Sequence, residues 1–262
     1  MSDGASYGTI RYERQGALLR LTLNRPERRN PIGPLTCGEL VHALTDARDD
    51  DTVRVVLLTG AGKVFSAGGD LAQLGGGGAP EGSVPPASLP ALFTTMHALG
   101  KPIVAMVNGH ALAGGLGLVV ACDLVLCADT AELGLTEIGV GLWPMMITAE
   151  LVRNIGRKKT LELMLGGERI SAAEGERLGL VNRVVPAARL EEETLALCAR
   201  LAARSPTALR LGLRAFYDTQ DLSHGDALAH LEGQLGAVLA TEDAVEGITA
   251  FLQKRAPVWK GR

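Results

Sequence analysis

Three segments of this 262-residue chain hold residues whose types and spacing could do chemistry. In Ala131-Glu-Leu-Gly-Leu-Thr-Glu137-Ile-Gly-Val-Gly-Leu-Trp-Pro144, Glu137 stands in a run of apolar residues and glycines. A carboxylate is costly to bury there unless it works or is paired, so Glu137 is a candidate acid/base, with a salt bridge or helix cap as the plainer alternative. The segment Val53 to Asp70 is a hydrophobic strand that delivers a glycine-rich turn. It lacks the Gly-x4-Gly-Lys-Ser/Thr spacing of a phosphate loop, the third glycine of a dinucleotide fingerprint, and a glycine before Ser66 for a nucleophile elbow. What survives is a turn of small residues, Ala67-Gly68-Gly69, able to point a backbone N–H at a substrate oxygen, or else a plain turn in which Asp70 caps the next helix. The third segment, Lys101 to Gly117, runs from a strand through glycines into an apolar stretch ending at Cys122-Asp123. Such a strand-to-helix turn presents free N–H groups and the positive end of a helix dipole, which suits an oxyanion. Gly114, Gly115 and Gly117 would serve tight helix packing equally well, and His110 is given no role.

The elements that must position these segments are those of an α/β protein. Tyr7 to Arg14 and Ala17 to Asn24 read as two strands joined at Gln15-Gly16. After the break at Pro31 to Pro34, Leu35, Leu40, Val41 and Leu44 recur with helical spacing up to Asp49-Asp50-Asp51. Val53 to Thr59, Pro102 to Val107 and Asp123 to Leu126 are short runs suited to buried strands, with helices between them. Gly75 to Pro90, rich in glycine and proline, is expected to be a surface loop. Ser171-Ala-Ala-Glu174 is a capping-box signature, and after a Val181 to Val185 run the pattern predicts helices at about 187–203, 206–218, 221–239 and 242–254. This change of pattern suggests an α/β core over 1–195 and a helical region over 196–262.

Bulk properties exclude several classes of function. A formal charge of −3, no long basic run and 3% aromatics leave out the electrostatic footprint of a nucleic-acid binder. Cys37, Cys122, Cys127 and Cys198 form neither a Cys-x-x-Cys pair nor a zinc-ligand spacing, so they read as buried small hydrophobes in a reducing compartment. The most apolar stretch, Ala111 to Cys122, is too short and glycine-broken to span a bilayer, and the N-terminal residues lack a signal-peptide pattern. The expectation is a cytoplasmic protein with no membrane partner.

Taken together and in order, the motifs resemble the crotonase superfamily, the enoyl-CoA hydratase/isomerase family. They are Asn24-Arg-Pro-Glu27 with Asn30, Phe65-Ser-Ala-Gly-Gly-Asp70, Lys101-Pro102 through Asn108-Gly-His-Ala111, Cys122-Asp123 and Glu137-Ile-Gly-Val-Gly-Leu. The tail adds Leu165-Gly-Gly-Glu-Arg-Ile-Ser-Ala, Gly179-Leu-Val-Asn182, Ser205-Pro206 and Ala250-Phe-Leu-Gln-Lys-Arg-Ala-Pro257, so the likeness covers nearly the whole chain. It implies a spiral of ββα units with a helical C-terminal trimerisation region, assembling as a homotrimer or a dimer of trimers, and an acyl-CoA thioester as substrate. It also implies an oxyanion hole made by the N–H groups of Ala67 and Gly114, with Gly68, Gly69, Asp70 and Gly115 around it. Arg25 and Arg28, together with Phe251 and Lys254 from a neighbouring subunit, match positions that contact CoA in the family. No metal or redox cofactor is expected, since proton transfer and enolate stabilisation need none.

The chain departs from the family pattern at one point. Hydratases of the family place two glutamates around a water, and the corresponding positions here are Gly117 and Glu137. The missing carboxylate favours Δ3,Δ2-enoyl-CoA isomerisation, in which one group removes a proton from C2 and returns it at C4. A 2-enoyl-CoA hydratase is the alternative within the enzyme class, and a non-catalytic acyl-CoA-binding protein the alternative outside it. Leu74, Trp143 and Met145 are candidates for the wall of the acyl pocket.

Overall fold

The computed structural model describes residues 6–71 and 83–262. Strands β1 (Ile10–Gln15) and β2 (Leu18–Leu23) form the expected antiparallel hairpin, turned at Gly16 with φ of 60°. The first helix, α1 (Pro34–Asp49), starts with proline in its first turn, where a missing N–H costs nothing. Thereafter the chain repeats one pattern. Strand β3 (Val55–Gly60) is followed by β4 (Val64–Ser66), β5 (Ile103–Val107) by β6 (His110–Leu112), and β7 (Leu124–Ala128) by β8 (Glu132–Gly134).

With two later strands, β9 (Arg169–Ser171) and β10 (Arg183–Val185), the first strand of each pair enters a six-stranded sheet of order β1-β2-β3-β5-β7-β10, and the second enters a four-stranded sheet of order β4-β6-β8-β9. Neighbours β3, β5 and β7 are parallel, as are β4, β6 and β8, so each ββα turn of the chain stacks on the one before. The repeat builds the spiral. Burial of every residue of β3 and β5 explains why these strands read as continuous apolar runs. The short second strands left no such run in the sequence.

Helices fill the turns of the spiral: α2 (Leu89–His97), α3 (Gly114–Val120) and α4 (Ile147–Gly166), then β9 (Arg169–Ser171), α5 (Ala172–Leu178) and β10 (Arg183–Val185). Ser171 Oγ accepts from the Glu174 N–H and caps α5, but the Glu174 carboxylate pairs with Arg177, so only half of the capping box forms. The loop expected over 75–90 is corrected at its end. Ser88 caps a helix that begins at Leu89 with Pro90 in its first turn, because proline is compatible with a helix start. The first part of that loop lies outside the described residues.

The boundary expected near residue 195 also moves. It falls inside α6 (Leu190–Ala202), whose Leu190, Thr194 and Cys198 are buried and which packs on β3, β5 and β7. That helix belongs to the core, and the change comes at residues 203–205, before α7 (Pro206–Thr219). Helices α8 (His224–Leu239) and α9 (Glu242–Leu252) complete the chain. Asp243 ties α9 to the start of α7 and to the chain end, accepting from Ser205 Oγ at 2.7 Å and from the N–H groups of Lys260 and Gly261. Helix α8 has no buried residue, and its Leu228, Leu231, Leu235 and Leu239 are exposed. No helix among the described residues is long and apolar enough to cross a membrane.

Candidate active site

The turn after β4 is built by Asn30. Its amide nitrogen donates to the carbonyls of Ala61, Val64 and Phe65 at 2.9–3.1 Å, its side-chain oxygen accepts from Arg25 N, and its own carbonyl accepts from Ser66 Oγ. A single 1% exposed side chain thereby fixes the approach to residues 67–70. Asp70, also buried, accepts from Arg25 Nη1 at 2.9 Å and lies 3.4 Å from Arg28 Nη2. Asp70 is thus an ion-pair partner of Arg25 and Arg28, and the residues it would cap beyond Leu71 lie outside the described ones. Arg25 is 9% exposed and absent from the cavity wall, whereas the Arg28 side chain is half exposed.

The hydrogen bonds of the turn identify its available donor. Ala67 N–H donates to Arg29 O at 2.9 Å, Gly68 N–H to Ser66 Oγ at 3.2 Å, and Asp70 N–H to Ile32 O at 3.0 Å. Ala67 is therefore corrected as the oxyanion donor, because its N–H already has an acceptor. Gly69 N–H has none among the described residues, and Gly69 lines the cavity.

The second donor comes from the start of α3. Gly114 is the first residue of the helix, so its N–H has no intrahelical acceptor. Ala113 before it holds φ 50° and ψ −126°, a conformation that non-glycine residues adopt only under strain. Gly68, at φ 107°, has its backbone against Ala113: a Cβ there would meet Ala113 Cβ at 2.6 Å. This close approach brings the two donors together, with Gly69 N 3.6 Å from the position a Gly114 Cβ would take.

The other glycines divide between the two readings left open by the sequence. Gly115 packs against Ser66 and Gly117 against Ile147, and neither lines the cavity, so they serve helix packing. Gly114 faces the cavity.

Glu137 enters from a one-turn 3-10 helix, Thr136–Val140, between β8 and α4. It is half-buried, its Oε2 is buried with no hydrogen-bond partner among the described residues, and burial pushes its carboxyl above the ordinary glutamate range. Among the described residues no cation pairs with Glu137, so the salt-bridge alternative finds no partner there. A cavity of about 510 Å³ brings Glu137 together with Ala67, Gly69, Asp70 and Gly114. Its remaining wall is mostly apolar and includes Ile32, Leu71, Leu89, Leu142, Trp143, Met145, Met146 and Ile147. Trp143 and Met145 are in the expected place, and Leu74 lies outside the described residues. Two backbone donors beside an unpaired carboxyl can hold an oxyanion and move a proton on an adjacent carbon.

Phe251, 81% exposed, and Lys254, in the left-handed region with φ 54°, follow at the end of α9 and do not line this cavity. His110 stands in β6, its Nδ1 accepting from Glu132 N at 3.1 Å. Among the described residues no group of three or more His, Cys, Asp or Glu could hold a metal ion. The roles of Asn30 and Ile147 were not read from the sequence, since both act through contacts with segments distant in the chain.

The family model for enoyl-CoA hydratase/isomerase matches residues 13–262, and the chain belongs to this family. A Thermus thermophilus protein named "Putative enoyl-CoA hydratase" is 43% identical over 248 residues, 93% of this chain and 97% of its own. The 2,3-dehydroadipyl-CoA hydratase of Escherichia coli is 38% identical over 254 residues, 95% of this chain and 97% of its own. The crystal structure of an enoyl-CoA hydratase from Mycobacterium smegmatis superposes with a TM-score of 0.87 at 31% identity, covering 96% of this chain and 99% of that one. The fold is that of these crotonase-type structures, and the chain is an acyl-CoA enzyme of this family.

Proposed function

We propose that this enzyme is a Δ3,Δ2-enoyl-CoA isomerase that works with one carboxylate. The observation that carries the reading is that Glu137 Oε2 has no hydrogen-bond partner among the described residues and Glu137 stands on the cavity wall, while position 117 is a glycine overlain by Ile147. Asp70, the other carboxylate lining the cavity among the described residues, is engaged by Arg25 and Arg28.

The thioester oxygen of a 3-enoyl-CoA accepts from Gly69 N–H and Gly114 N–H. Glu137 takes the proton from C2, and the electron pair delocalises onto that oxygen as an enolate conjugated with the C3=C4 bond. The same carboxyl returns the proton at C4, leaving the double bond between C2 and C3. Preorganised donors of this kind are worth about 3 kcal/mol each where the charge develops. The raised pKa of Glu137 favours the first half of the cycle, since a carboxylate of higher pKa is a stronger base towards the C2 proton. The substrate brings its own coenzyme, and no other cofactor takes part. Phe251 and Lys254 would reach a CoA moiety only from another copy of the chain, in a trimer or a dimer of trimers.

Hydration of a 2-enoyl-CoA is the second reading, favoured by the hydratase names of the relatives. Products separate the two. The purified enzyme is incubated with a 3-enoyl-CoA and, separately, a 2-enoyl-CoA in heavy-oxygen water, and products are separated by chromatography against standards of both isomers and weighed by mass spectrometry. An isomer of unchanged mass is the expected outcome; a labelled 3-hydroxyacyl-CoA from the 2-enoyl substrate would make the enzyme a hydratase. Binding of both esters with no product would point to a non-catalytic acyl-CoA-binding role.

A further inference from the structure

We infer that Ile147 is the residue that keeps this site from adding water, by filling the space over Gly117 from which a second carboxylate would reach the acyl chain; the inference rests on the single-carboxylate reading of Glu137. Addition of water forms a C3–O bond as the C2=C3 electron pair moves towards the thioester oxygen, and C2 then takes a proton. A base must hold the water and accept its other proton. Glu137 alone cannot place both water and acid.

The obstacle is steric and local. Helix α3 turns Gly117 towards the first residue of α4: a Cβ at 117 would lie 2.8 Å from Ile147 Cγ1 and 3.2 Å from its Cδ1, with Phe93 Cζ at 3.4 Å. Real Cβ contacts do not occur at 2.8 Å, so any side chain at 117 requires Ile147 to move. It cannot do so easily. Ile147 is 3% exposed, and a β-branched residue in a helix has one strongly preferred rotamer. Ile147 lines the cavity whereas Gly117 does not, so the isoleucine is the surface that the substrate meets there. A water at this surface would face the Ile147 side chain, which offers none of the two to four polar partners that hold a buried water. The glycine and the isoleucine form one unit, and putting a glutamate at 117 achieves nothing while the isoleucine remains.

The test compares the parent with Gly117→Glu, Ile147→Ala and the double variant, using 2-hexenoyl-CoA in heavy-oxygen water with melting temperatures alongside. The single Gly117→Glu is expected to melt below the parent and to yield no labelled product, and Ile147→Ala to yield none either. The double variant is expected to melt above Gly117→Glu and to release labelled 3-hydroxyacyl-CoA about tenfold or more above the parent, the lower end of what one acid/base group contributes. A Gly117→Glu protein that hydrates as well as the double variant, or a folded double variant with no gain, overturns the inference. Should the double variant not fold, Gly117→Ala decides: its loss of melting temperature must be recovered by adding Ile147→Ala, and failure to recover refutes the contact. Strong hydration by the parent would defeat the single-carboxylate reading itself. An inert parent with an inert, folded double variant would defeat only the role of Ile147.

Discussion

Arg25 Nη1 and Asp70 Oδ2 meet at 2.9 Å in the interior, next in sequence to the Gly69 N–H that faces the cavity. The pair joins the segment after β2 to the turn after β4, so it holds the donor in place without touching the cavity through Arg25. Removing one member of a buried pair leaves an uncompensated charge. Arg25→Ala is expected to cost about 3 kcal/mol in urea unfolding, the lower end of the usual range because Arg28 still reaches Asp70. A cost below ~1 kcal/mol would show that Asp70 does not depend on Arg25.

Gly114→Ala separates the donors from the fold. A Cβ at 114 has ordinary contacts, none nearer than 3.6 Å, but the nearest is Gly69 N, so the methyl would crowd the gap between the two N–H groups. The variant is expected to melt within a few degrees of the parent and to lose about 10²-fold in kcat, comparable with deleting one oxyanion donor. Unchanged turnover would place the thioester oxygen elsewhere.

Glu137→Gln keeps the shape of the side chain and removes its proton chemistry. Turnover is expected to fall by about 10²–10⁴-fold while CoA-ester affinity, measured by calorimetry, stays within a few-fold. Retained activity would mean that another group carries the proton.

The same variant has a stability signature. Burial raises the Glu137 carboxyl above its ordinary value of 4.5, so between 4.5 and the raised value the folded state holds a proton that the unfolded chain has released. The stability this contributes is present below 4.5 and lost as pH rises through the raised folded-state value. Gln does not titrate, so its melting temperature is expected to exceed the parent's by a margin that opens with rising pH and then levels. A margin that is independent of pH would contradict the shift.

In kinetics the same shift moves the acid limb of kcat/KM. Glu137 must be ionised to take the first proton, so activity is expected to rise with pH through a midpoint above 4.5, read from initial rates across an acidic buffer series. A midpoint at or below 4.5 would remove burial as the cause.

The sequence carried those parts of the site that are local. Glu137 among apolar residues, the strand runs of β3 and β5, and the Gly114 turn could each be read within a dozen residues. What it hid are relations between segments. The family resemblance points to Ala67 as a donor, and nothing near it in sequence reveals that Arg29 O already accepts its N–H. The strands β4, β6 and β8 are three residues each, too short for a period-2 pattern to register. The approximate boundary near 195 falls within α6, which packs on the sheet although its pattern matches that of the helices after it. Gly117 was visible as a missing carboxylate, but its counterpart Ile147 could only be found in three dimensions.

The spiral has a kinetic corollary. Gly69 and Gly114 reach each other only after β4 has paired with β6, and that pairing in turn joins residues from successive turns of the spiral. Parallel pairings of this kind close long loops and form late, since chain entropy is lost before the contacts can compensate for it. Helical content should therefore return early during refolding, and enzymatic activity should trail behind it as the slowest signal of the native topology.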